Sequence, residues 1–355
     1  MLIRKFMMAL ALAPVLLVPL HSRADVLYTI NFLPENFYPS DINNTGQMAG
    51  SLNLGDGIDH AAIYTGGAVI DLGFFGGTYS NAVAINDGGT VAGHVVTAAG
   101  DYRAFTYNNG NMVEIANLYA YGLNASGDVV GRSTTGSAAL YSQGTLTELG
   151  YFGTGDYSVA RAINDDGHIV GMSTIDLELH SRQQPFVYRD GKLHDLGTLD
   201  GREFNSAVAI NNAGQIAGYS EGTGGGMHAF LYENGVMTDL GSFGGLNLDV
   251  GGMNGHGEIV GQGESWSGPD VTFISRNGVL VDLNTLVDPG PGWTINGAMD
   301  INDAGQIIAN ACRDDICRPV RLDLASPVPE PHGAFLLLPG LLAVAGVRRR
   351  RHAMS

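Results

Sequence analysis

One nine-residue sequence recurs seven times along the chain and restricts the fold more than any other feature. The first copy is Ile-Asn-Asn-Thr-Gly-Gln-Met-Ala-Gly at residues 42–50, and related copies begin at Ile85, Leu123, Ile163, Ile210, Met253 and Ile301. Their starts are separated by 43, 38, 40, 47, 43 and 48 residues. A period of about 40–45 residues is typical of β-propeller blades that contain four strands each.

The residues inside each period favour strands joined by tight turns. Small apolar residues such as Ala82 and Ala84 alternate before a turn that contains Asn and Gly. Asn bonds to its own backbone in such turns, and Gly accepts a positive φ. A third strand, such as residues 228–232, and a fourth, such as residues 236–241, follow the second strand. The chain has 52 Gly among 355 residues, which disfavours helices. We predict an all-β fold of four-stranded meanders.

The number of strands of each type predicts how the repeats close. The first, second and third strands of the period each occur seven times, whereas the fourth follows only six of them, because the last unit stops near Leu324. A β-like segment at residues 26–33 precedes the first repeat, where a fourth strand would belong. The sequence therefore predicts a seven-bladed propeller in which the N-terminal strand completes the last blade. An open solenoid with capping strands is the alternative.

The N-terminal end has the layout of a secretory signal peptide. Arg4 and Lys5 precede an apolar run at residues 6–20, and a small residue, Ala24, lies before Asp25 at the predicted cleavage site. The alternative is a buried N-terminal helix, but two prolines interrupt the apolar run. We therefore predict that the general secretion machinery exports the chain.

The C-terminal end has three parts in order. A Pro-rich motif comes first, then an apolar stretch at residues 333–347, then an arginine cluster. A helix of 15 residues spans about 22 Å, less than the roughly 30 Å of a hydrocarbon layer. With the arginines on the cytoplasmic side, this predicted transmembrane helix would still hold a translocating chain at the inner membrane. The motif and cluster residues are Val328, Pro329, Glu330, Pro331, Arg348, Arg349, Arg350 and Arg351.

This tripartite end resembles the PEP-CTERM sorting signal of exported proteins in Gram-negative bacteria. The resemblance implies that an exosortase, a membrane-embedded thiol transpeptidase, cleaves the chain near the Pro-Glu-Pro motif and delivers it to the cell surface or extracellular matrix. An ordinary C-terminal membrane anchor is the alternative. We predict a signal peptide at residues 1–24, a propeller at 25–325 and a sorting tail at 326–355.

The repeats themselves resemble those of the HAF family of extracellular proteins. The resemblance is carried by the Ile-Asn-x-x-Gly-x-x-x-Gly units and by His60-Ala61 and His228-Ala229. It extends over nearly all of residues 26–324. It implies an extracellular setting but no reaction, because the family has no assigned chemistry.

The charge distribution argues against nucleic acid as a partner. The chain has 18 basic and 35 acidic residues, a net charge of −17. Three basic residues precede position 25 and four lie at 348–351, so the chain between these ends has 11 basic residues and a net charge of −24. Phosphate backbones and anionic lipids repel such a body. Cations, neutral glycans and basic surfaces remain as partners.

Two cysteines and one serine are the first candidates for chemistry. Cys312 and Cys317 are the only cysteines, and in an exported chain a pair this close predicts a disulfide. Residues 218–222 match the Gly-x-Ser-x-Gly nucleophile elbow around Ser220, but that elbow requires a strand entering a helix. Because Ser220 lies at a repeat position, we interpret it as structural.

The motifs of the sequence predict no metal site and no cofactor. None of the ten His forms a His-x-x-x-His pair. Weak Ca²⁺ binding at the Asn-Asp-x-Gly turns, which begin at Asn86, Asn164 and Asn302, remains an alternative to simple turn chemistry.

Aromatic residues in or near loops suggest a glycan-stacking platform, although aromatic plugs between blades are the alternative. They are Tyr119, Tyr121, Tyr157, Trp266 and Trp293. Our leading hypothesis is a non-enzymatic surface or matrix protein that binds or scaffolds exopolysaccharide in a biofilm, or binds other surface proteins. The alternatives are a propeller glycan lyase or hydrolase that uses acidic residues in the channel, and a structural spacer without a ligand.

Overall fold

The computed structural model describes residues 27–55, 57–175, 182–200, 203–266 and 268–325. The predicted signal cleavage site at Ala24 and Asp25 and the sorting tail at residues 326–355 lie outside the described residues. No helix in the described part of the chain is long and apolar enough to cross a membrane. The apolar stretch at residues 333–347 lies outside that part.

The described residues form a seven-bladed β-propeller, which confirms the predicted fold. Each blade is a four-stranded antiparallel sheet. Blade 7 consists of β26 (Thr294–Ile301), β27 (Ile307–Arg313), β28 (Ile316–Leu324) and, on its outer edge, β1 (Tyr28–Phe32). One 3₁₀ turn, Leu283–Thr285, connects blade 6 to blade 7.

The other six blades are consecutive in the chain, each ordered from the innermost to the outermost strand. Blade 1 is β2 (Phe37–Ile42), β3 (Met48–Asn53), β4 (Asp59–Thr65) and β5 (Ala68–Gly73); blade 2 is β6 (Tyr79–Ile85), β7 (Val91–Val96), β8 (Tyr102–Asn108) and β9 (Asn111–Ile115); blade 3 is β10 (Leu118–Leu123), β11 (Val129–Ser133), β12 (Ala138–Ser142) and β13 (Thr145–Gly150); blade 4 is β14 (Ser158–Ile163), β15 (Ile169–Thr174), β16 (Gln183–Arg189) and β17 (Lys192–Asp195); blade 5 is β18 (Asn205–Ile210), β19 (Ile216–Glu221), β20 (Met227–Glu233) and β21 (Val236–Gly241); blade 6 is β22 (Gly244–Met253), β23 (Ile259–Ser265), β24 (Val271–Arg276) and β25 (Val279–Asp282).

The N-terminal strand closes the wheel as predicted. β1 pairs antiparallel with β28, in a register that places Tyr28 opposite Leu324 and Phe32 opposite Val320. The observed strand is shorter than the predicted segment at residues 26–33. Because β1 covers the outer edge of β28, the last blade has the same four strands as the others.

Tyr28 also ties the N-terminal strand to blade 6. Its side chain is 1% exposed, and its hydroxyl accepts a hydrogen bond from Nη2 of Arg276 at 2.7 Å. Burial raises the pKa of Tyr28 to about 12, so the hydroxyl stays protonated at neutral pH. The backbone N–H of Tyr28 donates to the carbonyl oxygen of Leu286, in the connection between blades 6 and 7.

The last residue of the nonapeptide is glycine in six blades for a steric reason. A Cβ at these glycines would lie 1.8–2.2 Å from a carbonyl oxygen of the innermost strand. At Gly93 it would also lie 2.6 Å from Cζ of Phe105. Blade 7 has Ala309 instead, and there the register of the innermost strand is interrupted between Asn296 and Asp300. The innermost strand skips one residue of the pairing near this position in the other six blades, but it skips three in blade 7, where Ala309 has no partner in β26.

The hydrophobic core lies between neighbouring blades in seven separate clusters. Third strands contribute the phenylalanines Phe105, Phe186, Phe230 and Phe273, which are fully buried. The axis of the wheel is left open. We call the end that carries the Asn-Gly hairpins the turn face, and the opposite end, with the longer connections, the loop face.

Candidate functional site

A closed ring of asparagines surrounds the axis at the turn face. Each side-chain Nδ2 donates to the backbone carbonyl oxygen of the asparagine in the next blade, at 2.9–3.4 Å. The bond from Asn302 to Asn43 joins the last blade to the first at 2.9 Å. The members of this asparagine ring are Asn43, Asn86, Asn124, Asn164, Asn211, Asn254 and Asn302, and all are buried.

Each ring asparagine also builds its own turn. In blade 7, Oδ1 of Asn302 accepts the N–H of Gln306 at 2.9 Å, and Gly305 adopts a φ of 72°. The same asparagine side chain thus accepts a hydrogen bond within its own hairpin and donates one to the neighbouring blade. The sequence does contain a signal for the ring, because all seven nonapeptide copies have Asn at the second position. We explained this Asn by the hairpin turn alone, and that explanation does not predict a contact between blades.

The acidic residues of the Asn-Asp-x-Gly turns bond to the neighbouring blade. Asp87 accepts the N–H of Asn44 at 2.8 Å, Asp165 that of Ala125 at 2.8 Å, and Asp303 that of Gly255 at 2.6 Å. Their carboxylates therefore have a structural function in the wheel. Across the described ranges, no three His, Cys, Asp or Glu residues come together as a metal-binding group.

A cavity of about 510 Å³ lies on the axis at the turn face. The residue that precedes the nonapeptide contributes to its wall in every blade. Five blades place Ala or Gly there, whereas blades 1 and 7 place Asp41 and Asp300. The residue before that one adds Ser40, Val83, Tyr121, Arg161, Val208, Gly251 and Met299. The channel therefore has a small-residue wall with one acidic side, opposite Arg161 of blade 4.

Asp41 and Asp300 form a hydrogen-bonded pair between the first and last blades. The N–H of Ile42 donates to Oδ1 of Asp41 at 2.9 Å and to Oδ2 of Asp300 at 3.2 Å. Burial raises the pKa of Asp300 well above its usual range, and the adjacent Asp41 carboxylate raises it further. Gly252 leaves the space for this carboxyl group, since a Cβ there would lie 2.0 Å from Oδ1 of Asp300.

The acidic residues that line the cavity are this pair and the turn aspartates Asp87, Asp165 and Asp303, whose carboxylates bond to neighbouring blades. Glycosidases that use two carboxyl groups hold them roughly 5–9.5 Å apart on either side of the scissile bond. Asp41 and Asp300 instead bond directly to each other, and Asp41 also accepts the N–H of Ile85 at 2.6 Å. This arrangement stabilises the junction of the first and last blades and does not straddle a sugar linkage.

Ser220 lies beside a His–Asp pair but is not part of a catalytic triad. It faces His228 in the strand register, and Nδ1 of His228 lies 2.9 Å from Oδ1 of Asp239. However, Ser220 is fully buried, its hydroxyl donates to Oδ1 of Asn205 at 2.6 Å, and it accepts the N–H of Leu199 at 3.0 Å. Its oxygen is thus committed to the contact between strands.

The His–Asp pair is a repeated structural device of the third and fourth strands. His60 and Asp71 form the same pair at 3.0 Å in blade 1. Gln184 takes the place of His in blade 4 and donates to Asp195 at 2.7 Å. The same carboxylate accepts the N–H of the glycine two residues later, as at Asp239 and Gly241. The histidines of the His-Ala units therefore join the third strand to the outermost, fourth strand of the blade; we call this contact the brace.

The two cysteines are joined by a disulfide. Cys312 and Cys317 lie opposite each other in the hairpin between β27 and β28, with a sulfur–sulfur distance of 2.03 Å. The bond therefore lies at the loop face of the blade that receives the N-terminal strand.

Aromatic side chains form a continuous run at the loop face of blades 2, 3 and 4. The ring centroids of Tyr79 and His94 are 6.1 Å apart, and those of His94 and Tyr102 are 6.4 Å apart. Tyr102 then contacts Tyr119 of blade 3, with centroids 5.3 Å apart. We call these four rings, together with Tyr157, the aromatic run.

Arg132 connects Tyr119 to Tyr157. Its guanidinium carbon lies 4.8 Å from the Tyr119 ring centroid and 5.4 Å from that of Tyr157. Both distances are in the range of cation–π contacts. The run therefore crosses two blade junctions, from the start of β6 to the residue before β14.

The aromatic run is partly exposed, and burial disfavours the charged forms of two of its rings, His94 and Tyr79. Tyr102 is 45% exposed, and the other rings are partly buried. Burial lowers the pKa of His94, so this ring is neutral. Burial raises the pKa of Tyr79, and the charge of Asp59 and the nearby Tyr102 raise it further. Such rings, with apolar faces and polar edges, can stack on a sugar and bond to its hydroxyls.

The predicted platform residues are separated in the structure. Only Tyr119 and Tyr157 belong to the aromatic run. Trp266 is 84% exposed in blade 6, Trp293 contacts Phe32 with centroids 5.3 Å apart, and Tyr121 lines the axial cavity. The sequence did not indicate Tyr79, His94, Tyr102 or Arg132, because their proximity depends on how blades 2, 3 and 4 are arranged.

Solved propellers share this fold at low sequence identity. The β-propeller domain of the Trilobed protease from Pyrococcus furiosus is 12% identical, with a TM-score of 0.55 over 85% of this chain and 100% of that chain. That domain has an open velcro topology. Here β1 pairs with β28, so the last blade is completed by the N-terminal strand.

Two peptidases contain similar propellers. An acylaminoacyl peptidase from Pyrococcus horikoshii is 12% identical, with a TM-score of 0.53 over 82% of this chain and 51% of that chain. A prolyl endopeptidase is 11% identical, with a TM-score of 0.54 over 86% and 52%. The chain thus spans about half the length of these two enzymes. Identities this low show the fold and not the activity.

No protein-family model matches the sequence, and no curated protein matches it.

Proposed function

We propose that this protein is exported and binds polysaccharide at the cell surface or in the extracellular matrix, without catalysing a reaction. The observation that carries the binding half is the aromatic run, which presents partly exposed rings across blades 2–4. The export half is supported by the signal-like and sorting-like ends of the sequence.

The physical case for a glycan rests on the shape and polarity of the run. Adjacent ring centroids 5.3–6.4 Å apart form an extended row and not a closed pocket. An extended row fits a chain of sugars better than a single compact molecule, because ligand sites for small molecules are concave. Tyrosine hydroxyls at the ring edges add hydrogen-bond donors and acceptors for sugar hydroxyls.

A glycan-binding screen with the purified full chain tests the binding half. Tyr102→Ala and Tyr119→Ala should each weaken binding about tenfold, through loss of stacking. Tyr151→Ala is the matched control, because Tyr151 is 37% exposed in a loop and lies outside the run. The screen is run with and without Ca²⁺, so that a contribution of the cation appears directly.

Equal binding by all three variants would place the glycan elsewhere on the protein. No binding to any glycan would instead favour a structural spacer.

Processing of the C-terminal tail tests the export half. We propose that an exosortase recognises the Pro-Glu-Pro motif at residues 329–331 and that the arginines at 348–351 hold the tail in the inner membrane. Glu330→Ala, or removal of the arginines, should abolish processing and surface retention, measured by the size and location of the chain in cell fractions. Unchanged processing in both variants would refute this sorting route.

A further inference from the structure

Arg132 is the cation that contacts the aromatic run, and its charge has no acidic partner in the described part of the chain. It forms cation–π contacts with Tyr119 and Tyr157, while its Nε is buried without a hydrogen-bond acceptor. By contrast, Arg103, Arg276 and Arg321 each bond to a carboxylate. Arg132 is partly exposed, and among the described arginines that bond to no carboxylate, such as Arg161 and Arg313, it is the one that contacts two aromatic rings.

The contacts of Arg132 hold its planar group in a fixed place. Two tyrosine rings flank the guanidinium, at 4.8 and 5.4 Å from its carbon atom. A pre-oriented guanidinium binds a carboxylate through two parallel N–H···O bonds with less loss of conformational freedom than a flexible cation. The guanidinium N–H groups that do not face the two rings are therefore suited to bind the two oxygens of a carboxylate.

We infer that Arg132 is a specificity-determining residue that selects carboxylate-bearing glycans, such as polymers that contain uronic acids. The inference rests on the proposed function, because the same aromatic run would stack the sugar rings. The guanidinium would bind the carboxylate of one sugar while Tyr119 and Tyr157 contact the faces of that sugar and its neighbour.

The acidic body does not prevent this contact. At physiological ionic strength the Debye length is about 8 Å, so carboxylates farther away are largely screened. Asp101 and Asp156 precede Tyr102 and Tyr157 in the chain and are exposed to solvent. These carboxylates, and that of Asp59 near Tyr79, oppose an anionic ligand, whereas Arg132 attracts it at contact distance. A preference for carboxylate-bearing over neutral glycans should therefore depend on Arg132 alone.

A matched pair of polymers tests the inference. The probes are polygalacturonate and its fully methyl-esterified form, which differ in the carboxylate charge and share the sugar backbone. We expect the unchanged protein to bind the acid form about tenfold more tightly than the ester at physiological ionic strength. Arg132→Gln should remove this difference while binding to the ester persists. Arg132→Lys, which retains the charge but not the paired donors, should retain part of it.

Three outcomes separate this inference from the proposed function. Equal binding of both polymers by the unchanged protein, or an acid preference that survives in Arg132→Gln, overturns the role of Arg132 only. Binding of neither polymer overturns this inference, whereas polysaccharide binding is overturned only if the glycan screen also finds no ligand. Tyr119→Ala should weaken binding of both forms, and thermal unfolding of each variant shows that the fold is intact.

Discussion

Asn302 donates its side-chain N–H to the carbonyl oxygen of Asn43 at 2.9 Å, although 259 positions separate the two residues in the chain. This bond closes the asparagine ring at the junction of the first and last blades. The same junction contains the Asp41–Asp300 pair, and β1 pairs with β28 at the outer edge of blade 7. Three independent contacts therefore connect the two ends of the wheel.

Removal of the Asn302 side chain should destabilise the propeller. Asn302→Ala removes the donor to Asn43 and leaves the N–H of Gln306 without its Oδ1 partner. Buried polar groups without partners cost about 1–3 kcal/mol each, so we expect a loss of about 2 kcal/mol or more in the free energy of unfolding. Denaturant titration measures it. Asn111→Ala is the control, because Asn111 is exposed at the start of β9; equal losses in the two variants would refute the role of the ring.

The Asp41–Asp300 pair should make stability depend on pH. Because burial and then Asp41 raise the pKa of Asp300, the folded state retains a proton that the unfolded state loses above about pH 4. The free energy of unfolding should therefore fall as pH rises from this value through the raised pKa of Asp300. Asp300→Asn cannot ionise and should remove this part of the pH dependence.

Urea unfolding at a series of values from about pH 4 to about pH 8 tests the expectation. Asp190→Asn is the matched control: it removes one carboxylate from an exposed turn where φ is 52°, a conformation that Asn accepts. An equal pH slope in the unchanged protein and in Asp300→Asn would contradict the argument.

The fold could be predicted from the sequence because its determinants are local and repeated. Gly305 and the six equivalent turn glycines mark hairpins, and the missing fourth strand after Leu324 points to residues 26–33. The aromatic run could not be predicted, because the repeat positions that Tyr79, Tyr157 and His94 occupy hold aromatic residues in only some of the blades. Tyr102 and Tyr119 meet only through the angle between blades 2 and 3, which no local pattern records.

The contact between Asp41 and Asp300 in the channel also could not be predicted from local sequence patterns. Asp41 and Asp300 occupy the same repeat position, but only ring closure makes blades 1 and 7 neighbours. An alignment of the seven repeats shows Asp at this position in blades 1 and 7 and Ala or Gly in the other five. Together with the predicted closure of the ring, that alignment would have indicated the pair.

The brace between His228 and Asp239 should tolerate Gln but not Ala. Gln184 already forms the equivalent bond to Asp195 at 2.7 Å in blade 4, which shows that an amide fits this geometry. His228→Gln should therefore leave the free energy of unfolding nearly unchanged, whereas His228→Ala should lower it by about 1 kcal/mol. Denaturant titration distinguishes the two. Equal destabilisation by both substitutions would mean that the imidazole ring itself, and not its hydrogen bond, supports the blade.

Removal of the N-terminal strand should open the last blade. A variant that lacks residues 26–33 loses β1, the buried Tyr28 and Leu33 side chains and the bond from Arg276 to the Tyr28 hydroxyl. Full burial of each large side chain contributes about 1.5–3 kcal/mol, so the variant should unfold at a clearly lower denaturant concentration. The uncovered edge of β28 should also pair with other chains, which analytical ultracentrifugation would detect as self-association. A synthetic peptide of residues 26–33 should restore the monomer, because the pairing of β1 with β28 does not depend on a direct chain connection between these two strands. A variant that stays monomeric with unchanged stability would show that β1 is dispensable for closure.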